Sequence, residues 1–94
     1  MKVEWHPLAR TDLAELVTYI AADKPEAAYR LHDEIGKQIS ILARYPQAGR
    51  LGRVPGTREL PITGTPYIAA YRVTRNVVRI LRLLHGARRW PRAL

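Results

Sequence analysis

The chain contains no cysteine among its 94 residues, so neither a disulfide nor a cysteine-based zinc site can hold it together and the fold must rest on packing alone. Its one serine, Ser40, falls inside a helical stretch with no base nearby, which leaves no serine or cysteine nucleophile to propose. His6, His32 and His85 are scattered and lack carboxylates at ligand spacing, so no metal and no cofactor are expected. No apolar run has signal-peptide length at the start, and none approaches the ~20 residues of a transmembrane helix. This pattern points to a cytoplasmic protein with no membrane partner. Acid is also scarce, but only in one part of the chain: from Gly36 to Leu94 the sole acidic residue is Glu59, against Lys37 and eleven arginines.

The first 35 residues carry 7 acidic and 4 basic side chains, so the net charge of +8 arises entirely from the rest of the chain. A field of this size costs self-repulsion and suits a polyanionic partner such as nucleic acid or an acidic protein. The 13 arginines outnumber the 3 lysines. Arginine forms planar two-pronged pairs with phosphate or carboxylate, so this bias favours recognition over mere solubility. With 47% hydrophobic residues, the length supports one domain over residues 1–94, burying about 60–65% of its unfolded surface.

Hydrophobic periodicity divides this domain into a helical front and a sheet-forming back. Lys2 to His6 alternates as a short strand that Pro7 stops. Leu13, Leu16, Val17 and Ile20 then form a helical stripe. Asp23, Pro25 and Glu26 read as the cap and first turn of a second helix, whose stripe is Ala28, Leu31, Ile35, Ile39 and Leu42 and which Pro46 ends. The short Ala21–Lys24 link makes the pair an antiparallel hairpin. Gln47 to Thr57, with three glycines and no periodicity, reads as a mobile basic loop; it lacks the Lys-Ser/Thr and following helix of a phosphate cradle. Three β-rich runs follow, Arg58–Ile62, Tyr67–Val73 and Val77–Leu84, with Thr74-Arg75-Asn76 closing a tight hairpin. The expected fold class is α+β: an N-terminal strand, an antiparallel helical hairpin, then a three-stranded antiparallel meander.

The most apolar run, Val77 to Leu84, is expected at the centre of the sheet, with Arg79 and Arg82 on opposite faces by simple alternation. An arginine there costs desolvation unless it is paired or looks into a wet cleft. Tyr67 and Tyr71 share one face of the neighbouring strand, where they serve sheet packing or, alternatively, base stacking or proton transfer. Trp5 and Trp90 read as anchors of the two ends.

The β-α-α-β-β-β order resembles the RelE/ParE superfamily of bacterial toxins across essentially the whole chain. The likeness is carried by Tyr67-Ile68-Ala69-Ala70-Tyr71-Arg72-Val73, by Arg79 to Pro91 with its Leu84-His85-Gly86-Ala87-Arg88 ending, and by the Tyr45 to Arg50 turn. The resemblance implies the toxin of a type II toxin–antitoxin module that arrests growth, held inactive in a hetero-oligomer with a cognate antitoxin. The superfamily divides by target: ParE-like members poison DNA gyrase, and RelE-like members act with the ribosome as mRNA endoribonucleases. One fold hosts both. The tail from Leu83 to Leu94 looks ParE-like, whereas Tyr67 is followed by Ile68 and no tyrosine follows the last arginines, departures from the nuclease-type pattern. Gyrase is the expected target, with the ribosome and mRNA as the alternative.

For the nuclease alternative, His85, Arg58, Arg79 and Arg89 are the candidate catalytic residues, supplying proton transfer and positive charge at a scissile phosphate. The expected target-binding residues are Arg72, Arg82, Arg88, Arg89, Trp90 and Arg92. Leu13, Leu16, Ile20, Leu31, Ile35 and Gln38 on the helical hairpin are the expected antitoxin-binding residues, where an amphipathic partner helix could lie in a groove.

Overall fold

A computed structural model describes residues 1–94. The chain runs β1 (Lys2–Trp5), α1 (Pro7–Ala21), α2 (Pro25–Ser40), a 3-10 turn (Ile41–Ala43), β2 (Arg50–Leu51), β3 (Arg58–Pro61), β4 (Tyr67–Val73) and β5 (Val77–His85). The strands form one sheet in the order β1-β5-β4-β3-β2, with β1 parallel to β5 and the remaining pairs antiparallel. The expected α+β architecture is therefore present, with β5 inside the sheet and two strands added to the meander, one at each edge. No helix is long and apolar enough to cross a membrane.

Helix α1 starts as its sequence dictates. Pro7 fits the first turn, and the Nδ1 of His6 accepts a hydrogen bond from the Leu8 N–H at 3.0 Å. Helix α2 starts one residue later than expected. Lys24, with φ −136° and no capping side chain, takes the position assigned to Asp23. Pro25 forces an extended conformation on the residue before it, and the Asp23 N–H is already donated to the Ile20 carbonyl, so Asp23 belongs to the end of α1. The helix also ends earlier, at Ser40, and the 3-10 turn rather than Pro46 carries the fully buried Leu42 into the core.

Two features of the sheet escape simple alternation. Tyr71 pairs with Ile80 but Ala70 pairs with Arg82, so Leu81 is an extra residue in β5, a β-bulge. Val78, Ile80 and Leu83 therefore face the core, where strict alternation would have placed Arg82. The bulge puts Arg79 and Arg82 on the same, outward row, in register with Arg72 and Ala70, rather than on opposite faces as expected. In addition, the expected mobile loop contains β2 and is fixed at several points. The Gly49 N–H donates to the Tyr71 hydroxyl at 2.8 Å, that hydroxyl donates to the Pro46 carbonyl at 2.8 Å, and Val54 and Thr57 are buried. A Cβ on Gly49 would meet the Tyr71 oxygen at 2.6 Å, so this glycine answers close packing rather than flexibility.

The core lies between the helical hairpin and the inner face of the sheet, around Ala9, Leu16, Ile35, Ile39, Leu42, Tyr71 and Ile80. Tyr71 is fully buried, and burial raises its pKa above the ordinary 10.0, against the lowering effects of the Gly49 N–H and of Arg58. Its role is to pack and bridge the loop, the structural reading of the two given for the tyrosines.

Candidate functional site

The candidate site is built where β5 runs out. Gly86 donates its N–H to the Pro66 carbonyl at 2.8 Å, and a Cβ there would lie 3.0 Å from Ile68 Cδ1. This close approach turns the chain sharply. The Nδ1 of His85 accepts the Ala87 N–H at 3.1 Å, so the neutral ring carries its proton on Nε2. The Trp90 indole N–H donates to the His85 carbonyl at 3.1 Å, and the Arg88 N–H reaches the same oxygen at 3.2 Å. The His85 ring stands edge-on to Tyr67, its cross-strand partner, with centroids 5.5 Å apart. The tail after β5 is thus folded back, with Arg88, Arg89 and Arg92 exposed.

A second cluster meets the tail from the β2–β3 side. Glu59 on β3 is 2% exposed and receives both neighbouring loop arginines. Arg53 gives it a backbone N–H at 2.8 Å and its guanidinium at 3.0 and 3.2 Å, and Arg50 adds a contact at 3.2 Å. Burial alone would push the Glu59 carboxyl up, but these donors together outweigh it and hold the pKa below the ordinary 4.5. The Arg53 guanidinium also lies 3.7 Å from the centroid of the Trp90 ring. Stacking and ion pairing are compatible because the planar group offers its face to the indole and its edge to the carboxylate. Arg72 completes the enclosure, donating to the carbonyls of Gly56 at 3.1 Å and Leu94 at 3.3 Å.

The expected site residues divide among these places. Arg82 is withdrawn from the surface into a two-pronged pair with Asp12 of α1 at 2.7 and 3.0 Å, which raises its pKa further. The same carboxylate accepts the Leu83 N–H at 2.9 Å, because β1 pairs with β5 only as far as Ile80 and leaves that edge open. Arg82 also lines a cavity of about 150 Å³ between the start of α1 and the tail, the cleft expected for one of the two strand arginines. Arg79 is exposed beside Arg72 at the opposite end of β5 from His85, a separation of about 20 Å at the rise of an extended strand. Arg58 gives its guanidinium to the Gly49 carbonyl at 2.8 Å. His85 instead shares a cleft of about 430 Å³ with Tyr67, Arg88, Tyr19 and Glu15. Of the four residues expected for nuclease chemistry, Arg58 and Arg79 thus lie toward one end of the strands and His85 at the other, while Arg89, Trp90 and Arg92 are on the tail.

On the hairpin, Leu16 and Ile35 are buried in the core, and Ile20 and Leu31 are half-buried against it. Gln38 ties α2 to the β3–β4 turn, donating to the Thr63 carbonyl at 3.0 Å and accepting the Thr63 N–H at 2.8 Å. Leu13 opens onto a groove of about 550 Å³ together with Trp5, Ala14, Val17 and Gly36. No three His, Cys, Asp or Glu side chains come together as metal ligands. Sequence reasoning missed Glu59, Arg53 and Asp12. Glu59 carried a usable signal, since a lone acid in a basic half of a chain is a natural partner for nearby arginines.

The helical hairpin packed on a five-stranded sheet matches the fold of ParE/RelE toxins. Residues 3–90 match the family model of the ParE toxin of the type II toxin–antitoxin system parDE, and the chain belongs to that family. The Sinorhizobium fredii protein Y4kP, a candidate toxin by its name, is 41% identical over 93 residues, covering 99% of this chain and 96% of that protein. Toxin RelE2 of Caulobacter vibrioides is 36% identical over 87 residues, covering 93% and 97%. Among solved structures, the chromosomal ParDE toxin–antitoxin system from P. aeruginosa contains a chain that superposes with a TM-score of 0.81 at 30% identity, covering 88% of this chain and 92% of that one. Membership implies an antitoxin partner.

Proposed function

We propose that this toxin arrests growth in the cytoplasm by ParE-like poisoning of DNA gyrase, and that a cognate antitoxin neutralises it in a hetero-oligomer. The observation that carries the reading is the tail. Three exposed arginines, Arg88, Arg89 and Arg92, sit on a segment whose course is set by three hydrogen bonds to His85 and by the Trp90 stack on Arg53. A preorganised cationic surface suits a macromolecular contact. Nuclease chemistry needs a base, an acid and phosphate-binding cations converging within hydrogen-bond reach of one phosphodiester. Here Arg79 and His85 lie at opposite ends of one strand, and Nδ1 of His85 is occupied by a backbone N–H. The groove beside Leu13 is the proposed seat of an amphipathic antitoxin helix.

The deciding experiment incubates the purified chain with gyrase and supercoiled DNA in one reaction, and with ribosomes and mRNA in another. Trapped double-strand breaks that require gyrase support the proposal. Codon-positioned mRNA cuts without gyrase-dependent breaks would replace it with the RelE-like reading.

A further inference from the structure

Glu59 is the sole acid in the last 59 residues of the chain, and it lies on β3, on the far side of β4 from β5, where the tail begins. A buried carboxylate is costly unless its partners are close and well aimed. This one is met by one backbone N–H and by two guanidinium groups, all from the Arg50–Arg53 stretch. The contact does more than satisfy the acid. With its Nε and Nη2 edge fixed on the two carboxylate oxygens, the Arg53 plane has little rotational freedom, and its face lies against Trp90. Trp90 in turn has its indole N–H on the carbonyl of His85, the last residue of β5 and three residues before Arg88, the first of the tail arginines. Arg53 is 42% exposed at its side chain, so without Glu59 water would compete for the guanidinium and leave it many rotamers.

We infer that Glu59 is a positioning residue for target binding: through Arg53 it holds Trp90, and through Trp90 it holds the tail in the pose from which Arg88, Arg89 and Arg92 meet the target. The inference rests on the reading that the tail arginines make that contact. It assigns Glu59 no contact with the target, since the side chain is closed off by its arginines.

The test uses the full chain labelled with 5-fluorotryptophan. Trp5 and Trp90 are its two tryptophans, so the fluorine spectrum has two signals, and Trp90→Phe assigns them. Two variants are compared with the parent. Glu59→Gln removes the charge at nearly constant shape, and Arg53→Lys keeps the charge while removing the planar face and the two-pronged contact. Both are expected to move the Trp90 signal to the solvent-exposed position, to leave the Trp5 signal in place, and to weaken growth arrest on the order of tenfold, the scale of one lost stacking and charge-assisted contact. Arg53→Lys alters a partly exposed side chain, so it keeps the test valid if Glu59→Gln fails to fold. A Trp90 signal unchanged in the folded variants would overturn the inference, as would full growth arrest with Trp90 released. If the parent protein traps no gyrase cleavage complex, the gyrase assignment falls. Released Trp90 with lost growth arrest would even then uphold the positioning role.

Discussion

Asp12 and Glu59 both hold arginine in two-pronged contacts, yet they bind different kinds of structure together. Asp12 joins residues 70 and 71 positions away in sequence, fastening α1 to β5 and filling the strand edge left open where β1 stops. Glu59 joins residues only 6 and 9 positions away, fastening a loop to the strand that follows it. The first is a tertiary link on which the packing of helix against sheet depends. The second is local, and its consequence reaches outward, through Arg53 and Trp90 to the exposed tail. The same chemistry therefore serves the fold at one place and the presentation of a surface at the other. Separate substitutions should divide stability from toxicity.

The largest effect is expected on the surface side of this division. Arg88→Ala combined with Arg89→Ala should abolish growth arrest. Both side chains are exposed and have no ion-pair partner, so urea unfolding should stay within about 0.5 kcal/mol of the parent. Retained toxicity in cells that accumulate the folded double variant would remove the tail from target binding. Asp12→Ala should do the reverse. It strands the Arg82 guanidinium, whose side chain is 26% exposed, and leaves the Leu83 N–H without its acceptor, at a cost of about 2–3 kcal/mol, below the fully buried case because water reaches part of Arg82. Urea denaturation measures this. The fraction that remains folded should still arrest growth, and a folded but inactive Asp12→Ala protein would show that the two carboxylates are not divided as described.

Tyr71→Phe comes next in size and tests the anchor of the loop that leads to Arg50 and Arg53. The hydroxyl accepts the Gly49 N–H and donates to the Pro46 carbonyl, and its loss leaves a buried donor unpaired, at about 1–3 kcal/mol. Because the ring is fully buried, toxicity of the folded protein should persist; its loss at unchanged stability would give the hydroxyl a chemical role.

How much of this was legible in the sequence follows from the range of each interaction. The helices and the long strands were readable because the stripe Leu13, Leu16, Val17, Ile20 and the alternation in Tyr67–Val73 are local patterns repeated over several turns or residues. Strand β2 has two residues and no period to detect. The bulge at Leu81 sits in a run where both faces are apolar, so alternation could not place it, and the positions of Arg79 and Arg82 were misassigned with it. The Asp12–Arg82 pair spans 70 residues, beyond any local rule. Glu59 was different: its isolation among arginines was visible, although the Trp90 stack that gives it a consequence needed the structure.

Acid titration sharpens the comparison further. The Glu59 pKa is held below the 4.5 it would have when unfolded, so its contribution to stability is complete above that value and is lost as pH falls through the folded pKa. Unfolding free energies measured down this range should fall more steeply for the parent than for Glu59→Gln, and the Trp90 signal should loosen over the same interval. Equal slopes for the two proteins would mean that the carboxylate titrates alike in the folded and unfolded chain, so that its pairing does not stabilise the fold.

The smallest effect is expected at His85, the residue on which the two target readings differ most. Its Nδ1 accepts a backbone N–H and its ring stands edge-on to Tyr67, both of which are packing roles. In His85→Gln the amide oxygen can accept the Ala87 N–H, and the lost ring contact is worth about 1 kcal/mol or less. Growth arrest and gyrase-dependent breaks should therefore be almost unchanged. A proton-transfer group would behave otherwise: its removal costs on the order of 10² to 10⁴ in rate while leaving binding intact. The cleft that His85 shares with Tyr67 and Arg88 would give such a role neighbours to work with. Codon-positioned mRNA cuts by the parent that vanish in His85→Gln, at equal ribosome affinity, would move the function from the tail to that cleft.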